Sequence, residues 1–218
     1  VKLNGKTLTL APNCNVLNYS NKRYFITNGI NKGFLKKLKV NTTAFTFPVG
    51  FDKNTYNPLT ITENGTQDDY YVRCLENALL DGDQGNPISG GGISAGWLIN
   101  ENTPGGANAI IQAEWKTTDE LPGFDYTKCM IVRYTGSSWD YNAAQSGTAT
   151  GTLYRDISRS SLSSLGYFTV LSQMNPSFTS RIFGSETETA AFGKSAALNL
   201  KFYPTIVQNN LNIDVPNN

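Results

Sequence analysis

No window of this chain sustains an apolar repeat of 3.6 residues; what recurs instead is a period of two. Phe45 and Phe47 flank Thr46, Leu59 and Ile61 alternate with Thr60 and Thr62, and Ala109, Ile111, Ala113 and Trp115 alternate with Ile110, Gln112 and Glu114. Side chains two apart lie on one face of a strand, so each run describes a strand with one face buried and one solvated. Long helices are therefore excluded, and the chain must build its core by laying sheets face to face.

The reading along the chain is all-β: an antiparallel β-sandwich, preceded by short solenoid-like or edge strands and followed by a linker and two strands of a C-terminal β domain. Residues 1–44 hold short strands such as Thr7–Leu10 and Tyr24–Thr27, set off by Asn4-Gly5 and Asn28-Gly29, pairs that favour positive φ and tight turns. They suit the last rungs of an upstream β region, or edge strands laid on the next domain. Residues 45–172 carry the sandwich. Pro48 cannot donate to a ladder, so the strand Phe45–Phe47 ends there. Glu63-Asn64-Gly65-Thr66 is expected to turn Leu59–Thr62 back into Tyr70–Leu75 as a hairpin. Ala95–Ile99, Lys128–Tyr134, Thr148–Tyr154 and Tyr167–Leu171 are further strands, and the Ser-rich run Ser158–Ser164 is read as a loop. Residues 173–197 are the linker, and residues 198–218, with alternating Leu198–Pro204 and Leu211–Pro216, are the start of an incomplete C-terminal domain.

Composition removes several classes of function. The sequence has no histidine, which excludes Ser-His and Cys-His nucleophile pairs and every His-containing zinc site. Net charge is +1, too small an excess for a phosphate-binding surface, so nucleic acid is not an expected partner. The lysines at 32, 36, 37 and 39 are interrupted by Phe34, Leu35, Leu38 and Val40, the pattern of a strand with a solvated lysine face. Cys14, Cys74 and Cys129 form no CxxC pair. Cys74 and Cys129 fall in apolar runs and read as buried free thiols, with one disulfide plus a spare as the open alternative. No run approaches the ~18 apolar residues of a membrane-spanning helix. The start at Val1, without Met or an apolar leader, reads as an internal or mature piece of something longer.

Few groups could carry chemistry, and the expectation is that the chain is not an enzyme. Glu114, Asp119 and Glu120 are the carboxylates one would consider for glycoside hydrolysis, but no spacing sets two of them on either side of a sugar. Asp81-Gly82-Asp83-Gln84-Gly85-Asn86 invites Ca2+ through Asp81 and Asp83, against the competing reading of ordinary Asp-Gly turn chemistry; Asp68-Asp69 is read as solvated. Gly90-Gly91-Gly92 has no nucleotide-binding spacing. Trp97 and Trp115 share faces with apolar neighbours and read as core. Trp139, after the Gly136-Ser137-Ser138 turn, is the candidate exposed platform on which a sugar ring could stack.

Two resemblances follow from motifs in order. Asn4–Leu10, Tyr24–Gly29, Phe45–Gly50 with Tyr56-Asn57-Pro58, then Trp97, Pro104–Ala109, Gln112 with Trp115, Tyr134-Thr135-Gly136 with Trp139-Asp140, and Tyr167–Val170 resemble a domain of large Bacteroidota surface proteins of the adhesin type. Phe202-Tyr203-Pro204 through Leu211-Asn212-Ile213 is similar to the opening of the type A C-terminal sorting domain of the type IX secretion system. Tyr203-Pro204-Thr205-Ile206 stands where that family has Tyr-Pro-Asn-Pro, and only the first stretch of the domain is present. The resemblance implies a non-enzymatic module at the cell surface or secreted. Tyr203, Pro204, Leu211 and Ile213 would act as secretion-signal residues, and the outer-membrane translocon and its shuttle proteins would be partners. A surface adhesin, of the gliding type, would be the parent. The other readings are a carbohydrate-binding module using Trp139, with a surface glycan as partner and Ca2+ as an optional cofactor, and an accessory domain of an enzyme whose catalytic part lies upstream.

Overall fold

A computed structural model describes residues 1–27 and 33–172. By internal contacts the chain divides into Val1–Gly184 and Ser185–Asn218, and every described residue belongs to the first unit. The linker and C-terminal strands expected over 173–218, with Tyr203, Pro204, Leu211 and Ile213, lie outside the described residues, as does Asn28-Gly29.

The described chain is all-β, with fourteen strands. In order they are β1 (Thr7–Leu10), β2 (Phe25–Ile26), β3 (Phe34–Val40), β4 (Phe45–Phe47), β5 (Val49–Gly50), β6 (Leu59–Glu63), β7 (Asp68–Leu75), β8 (Leu79–Asp81), β9 (Gln84–Pro87), β10 (Gly96–Glu101), β11 (Ala109–Lys116), β12 (Met130–Arg133), β13 (Tyr154–Leu162) and β14 (Gly166–Leu171). Six of them form one sheet in the order β1-β3-β7-β10-β14-β12, and four form a second, β13-β11-β6-β4; β2-β5 and β8-β9 are separate pairs.

The two large sheets enclose one core, filled from both sides by the alternating residues. Leu35, Tyr70, Val72, Cys74, Trp97, Ile99, Phe168, Val170 and Ile131 come from the six-stranded sheet; Phe45, Phe47, Leu59, Ile61, Ala109, Ile111, Ala113 and Trp115 come from the other. The small residues Ala109 and Ala113 beside Trp115 give the mixture of sizes that lets facing layers interdigitate. Trp97 and Trp115 are completely buried, as expected for core, and their indole N–H groups donate to the Asn57 carbonyl at 2.9 Å and to Glu120 Oε1 at 3.2 Å. The opposite face of the four-stranded sheet is polar: the Thr46 and Thr60 hydroxyls hydrogen-bond at 2.8 Å, and Gln112 Nε2 donates to Asp156 at 2.8 Å.

Several expectations are corrected by this topology. Residues 1–44 are not the end of an upstream β region: β1 is an edge strand of the six-stranded sheet, as the second of the two readings had it, but β3 is interior to that sheet, so the sandwich begins well before residue 45. Nor is pairing wholly antiparallel, because β1–β3 and β2–β5 run parallel. Asn4 and Gly5 do take positive φ, 47° and 80°, turning the chain into β1 as that dipeptide suggests. Residues 63–66 make no hairpin; β6 pairs with β4 and β11 while β7 pairs with β3 and β10, so the turn is a corner that carries the chain from one sheet to the other. Gly65 is needed at that corner, since a Cβ there would stand 2.2 Å from the Gly106 carbonyl oxygen. The run Ser158–Leu162 is strand, the polar edge of the four-stranded sheet; a bulge between Ala109 and Ile111 resets its register. Residues 148–153 contribute a single isolated bridge ahead of it, from Thr150 to Asp156.

Lys37 also departs from the solvated lysine face. A bulge between Lys37 and Val40, with Lys39 at φ 54°, interrupts β3, and Lys37 is 4% exposed. Its ammonium donates to the carbonyls of Ala11, Pro12 and Cys14, each at 2.7 Å, which pins the segment after β1 onto the sheet. Three donors meeting three carbonyls satisfy the ammonium without a counter-charge. Lys36, one residue earlier, keeps to the outer face and pairs with Asp69 at 3.0 Å.

Candidate functional site

The outer face of the six-stranded sheet is where the molecule departs from plain sandwich packing. Over β12 and β14 that face is covered by the β8–β9 hairpin and the segment around Trp139. Together they form a second apolar cluster of Ala78, Ile88, Met130, Val132, Trp139 and Leu171. Trp139 is therefore interior: it is 4% exposed, its Nε1 donates to the carbonyls of Leu79 and Leu80 at 3.2 and 3.0 Å, and its ring meets Tyr134 edge-on at 5.6 Å. The expected exposed stacking platform is not there, because the hairpin lies over it. The ring fastens the hairpin to the sheet, and a sugar cannot reach its face.

Asp81 and Asp83 stand on that hairpin. Asp81 pairs in register with Gln84, and Gly82 and Gly85 take the positive φ of a tight turn. Gly85 is favoured by its φ of 81°, and a Cβ there would also lie 2.8 Å from Asp81 Oδ2. Asp83 Oδ2 accepts the Tyr167 hydroxyl at 3.2 Å. Among the described residues no three His, Cys, Asp or Glu side chains gather as a metal group.

Beside the hairpin, a cleft of about 260 Å3 opens between it and the sheet, lined among others by Arg73, Tyr167, Asp83, Phe51, Leu75 and Leu79. Arg73 is the residue that sequence reasoning overlooks. In β7 the alternation sends Tyr70, Val72 and Cys74 into the core and Arg73 to the outer face, where solvent would be expected. Instead Arg73 is 7% exposed, and its guanidinium lies over the Phe34 ring at 5.2 Å. Its row across the sheet is Arg73, Leu98 and Tyr167. Burial pulls the guanidinium below its usual basicity, opposed by the neighbouring Tyr167, and burial pushes the Tyr167 hydroxyl up, with Asp83 adding to the rise. The one signal in the sequence is an arginine between Val72 and Cys74 in an otherwise apolar run.

The remaining candidates are scattered. Glu114 faces outward on β11, with its carboxyl raised by burial and by nearby Asp156. Asp119 closes a 3-10 turn and accepts from Asn57 Nδ2 at 2.9 Å; burial raises its carboxyl and the Asn57 hydrogen bond opposes the shift. Glu120 accepts from Arg155 Nε at 2.7 Å as well as from Trp115. The structure thus engages Asp119 and Glu120 with separate N–H donors and does not gather the three around a common cleft. Asp68 accepts the Thr103 amide at 2.7 Å, so Asp68 and Asp69 both hold loops or lysines rather than standing free. Cys74 and Cys129 are buried free thiols and Cys14 is an exposed one. Burial pushes the Cys74 thiol far up and that of Cys129 to about 11, which makes both inert as nucleophiles. No helix among the described residues is long and apolar enough to cross a membrane. Comparison with family models, curated proteins and solved structures found no match to this chain.

Proposed function

We propose that this chain is a non-enzymatic β-sandwich module of a cell-surface or secreted protein, exported through the type IX secretion system by a signal that begins in residues 198–218. The observation that carries the reading is the ordered pair Tyr203-Pro204 and Leu211/Ile213, which is similar to the opening of the type A sorting domain, with Thr205-Ile206 in place of Asn-Pro. The fold supports it in one respect. The strands of both sheets run from Thr7 to Leu171, so the folded cargo and the signal-like segment occupy separate stretches of the sequence. The outer-membrane translocon and its shuttle proteins are the partners this reading implies, and a Bacteroidota surface protein of the adhesin type is the implied parent. Fold alone does not fix such a role, so the support comes from the resemblance of residues 198–218 to a sorting signal.

The test is a reporter placed behind a signal peptide and ahead of residues 173–218 with their native continuation, in a Bacteroidota host. Delivery to the surface or the medium, lost when the type IX translocon is disabled, is the expected result. Retention in the periplasm of the wild-type host overturns the reading.

A further inference from the structure

We infer that the cleft between the β8–β9 hairpin and the six-stranded sheet is a binding site for a small organic carboxylate, held through Arg73. This inference is independent of the export reading, since it concerns the sandwich alone. Three observations converge on it.

The first is the state of Arg73. Among the described residues, Lys36, Arg155 and Arg159 each have a carboxylate partner, at 3.0, 2.7 and 2.8 Å, whereas Arg73 forms no such ion pair and has only the Tyr167 hydroxyl beside its guanidinium. Its Nε is buried without a hydrogen-bond partner among the described residues. A guanidinium withdrawn from water is costly unless its charge and donors are met, and the group that meets both with its planar fork is a carboxylate.

The second is that the Arg73 side chain, whose Nε is itself packed away from water, lines a cleft. The cleft holds about 260 Å3, a little below the roughly 300–1,000 Å3 of pockets for drug-sized ligands, so its occupant is small. Its walls are fixed. Thr27 accepts the Cys74 amide at 3.0 Å and donates to the Cys74 carbonyl at 3.2 Å, which anchors one side to β7. The hairpin on the other side is fastened by Trp139. Gly82 is part of that wall, and its backbone packs so closely on the Tyr134 ring that an added Cβ would stand 2.5 Å from it.

The third is the chemistry of the lining. Phe51, Leu75 and Leu79 offer apolar surface for the body of the ligand, while Arg73 and the Tyr167 hydroxyl offer donors for its charged end. Tyr167 presently donates to Asp83 at the exposed hairpin tip. Asp83 therefore works against an anion, both by its charge and by holding the hydroxyl.

Titration of the full 218-residue chain with benzoate, followed through the amide resonances of Leu75, Gly82 and Tyr167, tests the inference. Benzoate is expected to shift them saturably, and benzamide, its uncharged counterpart, to bind at least about tenfold more weakly, the loss expected when a charge-assisted pair is replaced by a neutral one. Arg73→Gln is expected to weaken benzoate by a similar factor. Asp83→Asn, at an exposed tip where folding is not at stake, is expected to tighten it severalfold. The inference is overturned if benzoate gives no saturable shift, if benzamide binds as well, or if Asp83→Asn leaves the affinity unchanged.

Discussion

The Tyr70 hydroxyl donates to the Glu63 carboxylate across the interior, although the two residues lie seven apart in sequence and in different sheets. Glu63 is 1% exposed, and its other oxygen accepts the amides of Gly65 and Asn108. A buried carboxylate is tolerable only when its acceptors are filled, and here the corner between the sheets fills them.

Tyr70→Phe removes one donor and leaves a carboxylate oxygen dry, so a loss of about 1–3 kcal/mol is expected. Glu63→Ala strands two backbone amides as well and is expected to cost more. Urea unfolding of the two single mutants and the double mutant gives their coupling; a coupling near zero would contradict this account of the corner.

Trp139→Ala is expected to act on stability and not on recognition. Truncating a buried aromatic costs about 3–5 kcal/mol, and here the cost includes loosening the β8–β9 hairpin from the sheet. The denaturation midpoint checks it. A variant as stable as the parent would mean the ring is not interior.

Those two cases show what the sequence discloses and what it withholds. The alternation in Phe45–Phe47, Leu59–Glu63 and Ala109–Lys116 names both the strands and their buried faces, because period two is a local property of the chain. Which strands pair is a long-range property. Glu63-Asn64-Gly65-Thr66 has hairpin composition, yet it turns a corner because β6 finds β11 and β7 finds β10. Trp139 follows a Gly-Ser turn and looks exposed; the covering hairpin comes from a distant, earlier stretch of the chain. Arg73 is hidden for the same reason, since nothing near it in sequence announces Phe34 above it or Tyr167 two strands away. The serines of β13 hide a strand because its inward positions are partly arginines. Arg159 meets Asp140 with both guanidinium nitrogens at 2.8 Å and also the Ile131 carbonyl at 3.0 Å, so a charged residue takes an apolar residue's place in the pattern.

That Arg159 contact joins the edge of one sheet to the edge of the other, through β12. Asp140→Ala leaves the half-buried guanidinium without its fork partner and is expected to lower stability by about 1–3 kcal/mol. Asp140→Asn should recover part of that. Equal melting temperatures for wild type and Asp140→Ala would contradict the bridging role.

Asp119 and Glu114 should give the protein an unusual acid response. Burial raises both carboxyls above their ordinary values, so the native state binds protons more readily than the unfolded one. Their contribution therefore grows as pH falls from neutral through the raised values, the reverse of a salt-bridged aspartate. Asp69 works the other way. Burial raises its carboxyl, but Lys36 and the Lys39 amide outweigh that and hold it below its ordinary value, so its contribution is lost on further acidification. Asp119→Asn should flatten the rise in urea midpoints on acidification from neutral pH while keeping an acceptor for Asn57. An unchanged pH profile in that variant would contradict the assignment.

The thiols supply the measurement that bears most directly on export. Cys14 is exposed while Cys74 and Cys129 are buried, so in the folded protein only Cys14 should react with a membrane-impermeant maleimide. The labelling is to be done on intact Bacteroidota cells expressing the chain from its full native reading frame, with and without a working type IX translocon. A protein displayed at the surface labels at Cys14 in the wild-type host, and labelling disappears in the translocon mutant and in a Cys14→Ser control. Labelling that appears only after the cells are broken, in both hosts alike, would contradict the account.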